Sequence, residues 1–305
     1  MDLTLLYNEQ PVMTEPYTCV LTDHAEGRCD SLWLEFKDAA DELAGIAKGD
    51  LIQAVHSSLD SGEMYASEIR WKGKKLAVKA LSMPAEMRVA SSMSWDSVSF
   101  SELISSIAAE TKLKVVLLDT LNAQYETVTR FNMPPIQFLQ ARLSMEGFAC
   151  KVKDKKLIVY DERKREHREY TQQLQESDFN HAPEYSTSDA TLAAMAINSY
   201  ETPGRAMIQT KVSSGIPGQV ISENIAVSTI GESERYCKGL LRQANKYEYI
   251  ASGELKGTAY EAGQTVYLID GPGNHAGLNY IYRVTSDFVN DIQRLEMRRP
   301  ILGDY

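Results

Sequence analysis

The chain predicts a β-rich α+β protein, with barrel- or sandwich-like β-structure at both ends and a small mixed αβ unit between them. Three observations carry this. Apolar side chains alternate with a period of two in many short runs near both ends, as in half-buried strands. Gly-, Asn- and Asp-rich turn signals separate those runs. Helical spacing behind clear capping signals is confined to the middle and to one later insertion. At about 100–200 residues per domain, 305 residues make two or three domains.

In the first segment, 1–94, Leu32, Leu34 and Phe36 alternate with Ser31, Trp33 and Glu35. Asp38 to Leu43 reads as a candidate short helix. A turn through Gly45 to Asp50, closing on Gly49-Asp50, precedes a strand over Leu51 to Val55. Tyr65, Ile69 and Trp71 lead into Lys72-Gly73-Lys74, a hairpin turn, and Leu76 and Val78 return from it.

The second segment, 95–161, predicts an αβαββ unit. Ser99 and Glu102 form a capping-box pattern ahead of Phe100, Leu103, Ile104, Ile107 and Ala108, one full helical face. Lys112 to Leu118 follows as a strand. Pro134 marks the next helix start, because a proline in a first turn gives up no intrahelical bond, and Gly147 marks its end. Phe148, Cys150 and Val152, a turn at Asp154-Lys155, and Leu157 to Tyr160 make a hairpin.

Segment 162–225 carries a mixed-sign charge run to Glu169 and then polar sequence, which predicts a solvated helix or linker. The last segment, 226–305, has a capping box at Thr229 and Glu232, a helix through Tyr236, Leu240, Leu241 and Ala244, and then strands. Those strands cover Tyr247 to Gly257, Gln264 to Ile269, Asn279 to Thr285 and Asp291 to Arg298, punctuated by Gly263 and Gly271 to Asn274.

Charge and motifs exclude more than they identify. Forty-two Asp and Glu against 32 Lys and Arg give a net charge of −10, the wrong balance for neutralising phosphates. No run nears the about 18 apolar residues of a membrane span, and Met1 to Gln10 lacks a secretory pattern. Cys19, Cys29, Cys150 and Cys237 form no CxxC pair and are expected as reduced thiols, Cys150 as a small buried hydrophobe. His24, His56, His167, His181 and His275 show no metal-ligand or triad spacing, and His275 reads as an exposed loop residue. Gly271 to Gly277 misses the dinucleotide fingerprint by one position, and Asp60-Ser-Gly-Glu63 lacks the ligands of a calcium loop. Asp38 with Asp41, or Asp161 with Glu162, are carboxylate pairs without the tertiary placement that glycoside hydrolysis requires. No catalytic residue, cofactor or metal ligand is singled out. The 16 tyrosines, many of them in candidate strands, tilt toward protein–protein contact.

Taken as an ordered set, these segments resemble the phage tail baseplate hub proteins, the late-control-D and PBSX-type tail hub family. The resemblance is carried by Cys29 to Asp38 followed by Lys48-Gly-Asp50, and by Leu81 to Met93, a strand bearing an arginine, leading to Trp95 and the helix from Ser99 to Ala109. It continues through Asn132 to Gly147 with Phe148. It closes on Gly253 to Gly257, Ala262-Gly263, Tyr267, Tyr282 to Val284 and Leu295 to Arg298.

The resemblance implies two tail-tube-like β-barrel domains flanking the αβ unit and a homotrimer. Two barrels per chain would let a three-fold hub match a six-fold tail tube and seat a central spike. The partners it implies are the chain itself, tail tube protein, central spike protein and other baseplate proteins, with DNA only as passing cargo. The implied location is the virion tail tip, after assembly in the bacterial host cytoplasm. The alternative is a tail-associated cell-wall hydrolase, but the hub segments leave only about 60 residues, short of a usual domain.

Overall fold

The computed structural model describes residues 3–39, 42–57, 59–202, 204–257, 259–303 and 305. The N-terminal lobe contains β1 (Leu3–Tyr7), β2 (Gln10–Val12), β3 (Thr18–His24), β4 (Ser31–Phe36), β5 (Leu51–His56), β6 (Leu59–Asp60), β7 (Met64–Lys72) and β8 (Lys75–Leu81). They pair in the order β2-β1-β5-β7-β8-β4-β3, with β6 on β5. Alternation puts Cys19, Leu21, Leu32, Leu34, Phe36, Leu76 and Val78 into one core, with Leu34 opposite both Cys19 and Val78. Of the Asp38 to Leu43 stretch, the described residues form turns and not a helix, and residues 40 and 41 lie outside the described set.

The central unit runs β9 (Ser91–Ser99), α1 (Phe100–Glu110), β10 (Lys114–Leu118), β11 (Gln124–Met133), α2 (Pro135–Glu146), β12 (Phe148–Lys153), β13 (Lys156–Asp161) and α3 (Glu162–Glu166). β10 lies parallel to β13, and β13 antiparallel to β12. The expected αβαββ order omits two strands: β9 and β11 form an antiparallel ribbon. Their sequences are dominated by Ser, Thr and charged residues because one face stays wet, while Trp95, Val98, Tyr125 and Val128 pack on the helices. The stretch before Met93 is likewise not one strand, since a 3-10 turn at Ala85–Arg88 holds the arginine.

Next come β14 (Gln172–Leu174), β15 (Glu184–Thr187), β16 (Ala193–Glu201), β17 (Met207–Ser213), β18 (Gln219–Glu223) and α4 (Ile230–Asn245). The expected linker is therefore structured. Its strands β16, β17 and β18 form a separate sheet that α4 covers through Cys237 and Leu241 against Ala193 and Ala196. Gly239 lets α4 approach α2, since a Cβ there would lie 2.4 Å from the Ser144 carbonyl oxygen.

The chain closes with β19 (Tyr249–Lys256), β20 (Thr265–Leu268), β21 (Gly277–Asp287) and β22 (Ile292–Arg298). β15, β19, β22 and β21 continue the main sheet, and β14 lies parallel to β20 beside β21. The two ends of the chain meet here: β21 pairs antiparallel with β3, Asp287 opposite Val20 and Arg283 opposite His24. Phe288 crosses that seam into the N-terminal core, fully buried and stacked on His56 at 5.5 Å. The pairing follows an open path from β15 to β2, and none of the sheets closes into a barrel through strand pairing of the described residues.

Candidate functional site

The densest chemistry of the fold lies where the three parts meet. Arg298, at the end of β22, has a completely buried side chain and faces three glutamates. Its Nε donates to Glu26 Oε1 at 3.0 Å, its Nη1 to Glu166 Oε2 at 2.7 Å and its Nη2 to Glu162 Oε1 at 3.0 Å. Lys246, just past α4, bridges Glu26 at 3.0 Å and Glu162 at 3.1 Å, and Arg242 reaches Glu166 at 3.2 Å. Tyr247 donates its hydroxyl to Glu26, and the Ile301 N–H bonds Glu166.

Three carboxylates thus face three cations. The charges come from the β3–β4 loop, α3, the α4 end and β22, so the cluster ties the N-terminal lobe, the central unit and the C-terminal strands together. Burial pushes the Glu26 carboxyl up, but Arg298 and Lys246 outweigh it and hold the group down at about 2. Burial dominates at Glu162, which is raised, and its Oε2 has no hydrogen-bond partner. Burial alone lowers Arg298, and the three glutamates more than reverse this. An ion cluster of this kind adds little net stability, because desolvation offsets the attraction, but it penalises any arrangement that separates its members. Its chemistry is that of a lock between the parts of the chain.

Two further polar contacts reinforce the same joints. Lys151 on β12 pairs with Asp23 on β3, and Asp23 also accepts from the Ala262 N–H at 2.9 Å. Between α2 and α4, the Arg142 guanidinium lies over the rings of Tyr125 at 4.2 Å and Tyr236 at 5.1 Å and reaches Glu232 at 3.4 Å. A cleft of about 330 Å³, lined by Gly27, Gln140, Cys150, Glu162 and Lys246, opens on one side of the Glu26 loop. A second, of about 210 Å³, holds His24, Tyr282 and Arg283, and there burial and Arg283 hold His24 down at about 4. Burial pushes the Cys19 and Cys150 thiols up to about 12, far from a nucleophilic thiolate. No group of three or more potential metal ligands occurs among the described residues.

The residues singled out from sequence lie at separate turns and caps. Gly49 has φ +93°, and Asp50 accepts from Tyr7 Oη at 2.8 Å and the Ala47 N–H at 2.7 Å. Ser99 and Glu102 complete a reciprocal capping box, and the Ser99 contacts hold the Glu102 carboxyl low. Pro134 caps α2, and Gly147 ends it in the left-handed region at φ +76°. Thr229 accepts from the Glu232 N–H at 3.1 Å, but the Glu232 carboxylate bonds the Ser228 N–H instead of closing the box. Gly263, at φ +94°, accepts from Arg165 Nε at 2.9 Å.

The glutamates of the lock escaped sequence reasoning. Glu162 and Glu166 sit in the charge run expected to be solvated, yet both are buried. Their spacing of four on one face was the available signal, but it names no partner. His275 is also not an exposed loop residue: it is buried between Tyr185 and Tyr249, with Nε2 3.1 Å from Thr187 Oγ1. Of the posed carboxylate pairs, Asp41 lies outside the described residues. Asp161 caps α3 through the Lys164 N–H, while Glu162 points into the lock.

The fold as a whole is similar to those of solved phage tail proteins. The chain is similar over its whole length to the 43 kDa tail protein of prophage MuSo2 from Shewanella oneidensis, at a TM-score of 0.77 and 13% identity, with 100% of each chain covered. It is similar to a tail protein from Neisseria meningitidis MC58, at a TM-score of 0.77 and 10% identity, with 98% of this chain and 96% of the other covered. A third similar structure is an Escherichia coli component of the type VI secretion system, described as structurally similar to the bacteriophage T4 tail proteins gp27 and gp5. There the TM-score is 0.60 and the identity 12%, over 97% of this chain and 76% of the other. No family model matches the chain, and no curated protein matches it in sequence.

Proposed function

We propose that the chain is a structural protein of a phage tail or tail-like particle, and within it the baseplate hub. The observation that carries this is the end-to-end correspondence of fold with the Shewanella prophage tail protein, which leaves no part of either chain unmatched. The likeness to a secretion-system component described as similar to gp27 and gp5 supports the hub position in particular.

In this proposal segments 1–94 and 226–305 supply the two tube-type β modules, built on one open sheet and not on closed barrels, 95–161 is the αβ unit between them, and 162–225 joins the unit to the second module. Three chains form a ring presenting six such modules to the six-fold tail tube, and the ring seats the three-fold central spike. Tube, spike and other baseplate proteins are the partners, and DNA passes through as cargo. A net charge of −10 suits a lumen that DNA must traverse without adhering. The proposed place of action is the tail tip, with assembly in the host cytoplasm. No helix of the described residues is long and apolar enough to cross a membrane.

The ionic lock supports the same role. A ring subunit must hold its modules in one fixed relation, and a buried charge cluster spanning them penalises every other relation. Light scattering on the purified protein, alone and with tube and spike proteins, tests the proposal. A trimer that captures both is expected, whereas a monomer at all concentrations that binds neither would overturn it. A peptidoglycan zymogram is expected to stay blank, and clear lysis would favour the hydrolase.

A further inference from the structure

The β7–β8 hairpin ends in Arg70-Trp-Lys-Gly-Lys-Lys75, six consecutive exposed residues carrying four cationic side chains on a chain of net charge −10. Glu68 and Asp38 offset only Arg70 and Lys74, and both of those pairs are themselves largely solvated. Lys72 and Lys75 have no ion pair among the described residues. Trp71 is 42% exposed in their midst, an arrangement that leaves a large aromatic surface wet and surrounded by positive charge.

The chain also carries the complement. Parallel pairing of β14 and β20 places Leu174 beside Leu268, so the segments that follow them emerge at one end. Those segments present Glu176, Asp178 and Asp270, all exposed and none ion-paired among the described residues. The Glu176 N–H donates to Asp270 Oδ1 at 3.0 Å, which fixes the two segments together. Beside them Ile269 is 52% exposed, and Tyr267, 38% exposed, lies 5.5 Å from the Tyr170 ring. One surface is thus cationic around a tryptophan, and the other is anionic around a tyrosine pair and an isoleucine.

We propose that the β7–β8 hairpin tip of one copy docks on the acidic, aromatic end of the β14–β20 pair of a second copy. The inference deepens the hub proposal and rests on its ring. Two different surfaces on each chain give a head-to-tail contact, the kind that closes into a ring when the rotation permits. Trp71 is the anchor, entering between Tyr267 and Ile269, because aromatic side chains rimmed by charge dominate interface energetics. The lysines supply orientation and on-rate through complementary charge.

Light scattering of four proteins tests this: the wild type, Lys72→Glu with Lys75→Glu, Glu176→Lys with Asp270→Lys, and all four changes together. The wild type is expected as a trimer that loosens as salt rises from about 0.1 to about 1 M. Each pair of reversals is expected to weaken association by at least about 100-fold, since like charges then face each other, and the combined variant to recover it. Trp71→Ala, at an exposed site that no core depends on, is expected to weaken the trimer while leaving the thermal melt unchanged. If the wild type is trimeric and the reversed proteins remain so, or the combination fails to recover, this contact is wrong and the hub proposal stands. A wild type that never associates overturns both. Loss of binding to anionic vesicles or DNA in the hairpin variant, with the trimer intact, would assign the hairpin to those partners and overturn the contact.

Discussion

Arg298 and Glu166 lie 2.7 Å apart with both side chains wholly shut off from solvent, although 132 residues separate them in sequence. The pair joins the last strand to the short helix that ends the central unit. Glu26, from the first lobe, accepts from the same guanidinium. Three parts of the chain are therefore held by the fork of one arginine.

Removing that fork leaves three buried carboxylates with two cations. Arg298→Ala is expected to cost about 3–5 kcal/mol in denaturant unfolding, the range for breaking a buried pair on one side. Arg298→Lys is expected to recover little, because one ammonium cannot present three donors in a plane.

The lock gives the protein a defined acid response. The folded-state pKa of Glu26 is depressed to about 2 from an ordinary 4.5. Its contribution is therefore complete above pH 4.5 and is lost as the pH falls toward 2, because the unfolded chain binds the proton first. Glu162 is raised, so it acts with the opposite sign: the folded state binds its proton more readily, and stability falls as pH rises above 4.5. Urea midpoints between pH 2.5 and 7 are expected to show a shallower acid limb for Glu26→Gln than for the wild type. Glu162→Gln is expected to remove the opposing decline.

The α2–α4 contact depends on an absent side chain. A Cβ at residue 239 would fall 2.4 Å from the Ser144 carbonyl oxygen and 2.5 Å from that of Met145, both backbone atoms. Alanine normally favours a helix interior by about 1 kcal/mol over glycine. Here Gly239→Ala is expected to destabilise by about 1–3 kcal/mol through overpacking, read as a lowered denaturation midpoint.

The edge strand β15 is held from outside its own ladder by His275. The ring lies between Tyr185 and Tyr249 and bonds Thr187. Replacing it removes two aromatic contacts worth about 0.5–1.5 kcal/mol each. His275→Ala is expected to speed amide exchange across Glu184–Thr187 at constant pH while the β12–β13 hairpin keeps its protection.

The features legible in sequence are those whose physics is local. The α1 capping box is one, because Ser99 and Glu102 satisfy each other within a single turn. The β7–β8 hairpin is another, since Gly73 at φ +62° makes its turn and alternation fixes its inward face. The β9–β11 ribbon escaped notice because a strand wet on one face and rich in Ser and Thr gives no apolar alternation strong enough to separate it from a loop.

By itself the sequence determined the β-rich class, the helices α1, α2 and α4, and about half of the strands with their turns, because each depends on residues a few positions apart. Tertiary structure alone decided that β3 pairs with β21, that Phe288 completes the core of the opposite end, and that Glu162 and Glu166 turn inward. The physical reason is range. A charge run reads as solvated until its counter-ions are known, and Arg242, Lys246 and Arg298 reach those glutamates only after the chain has closed on itself.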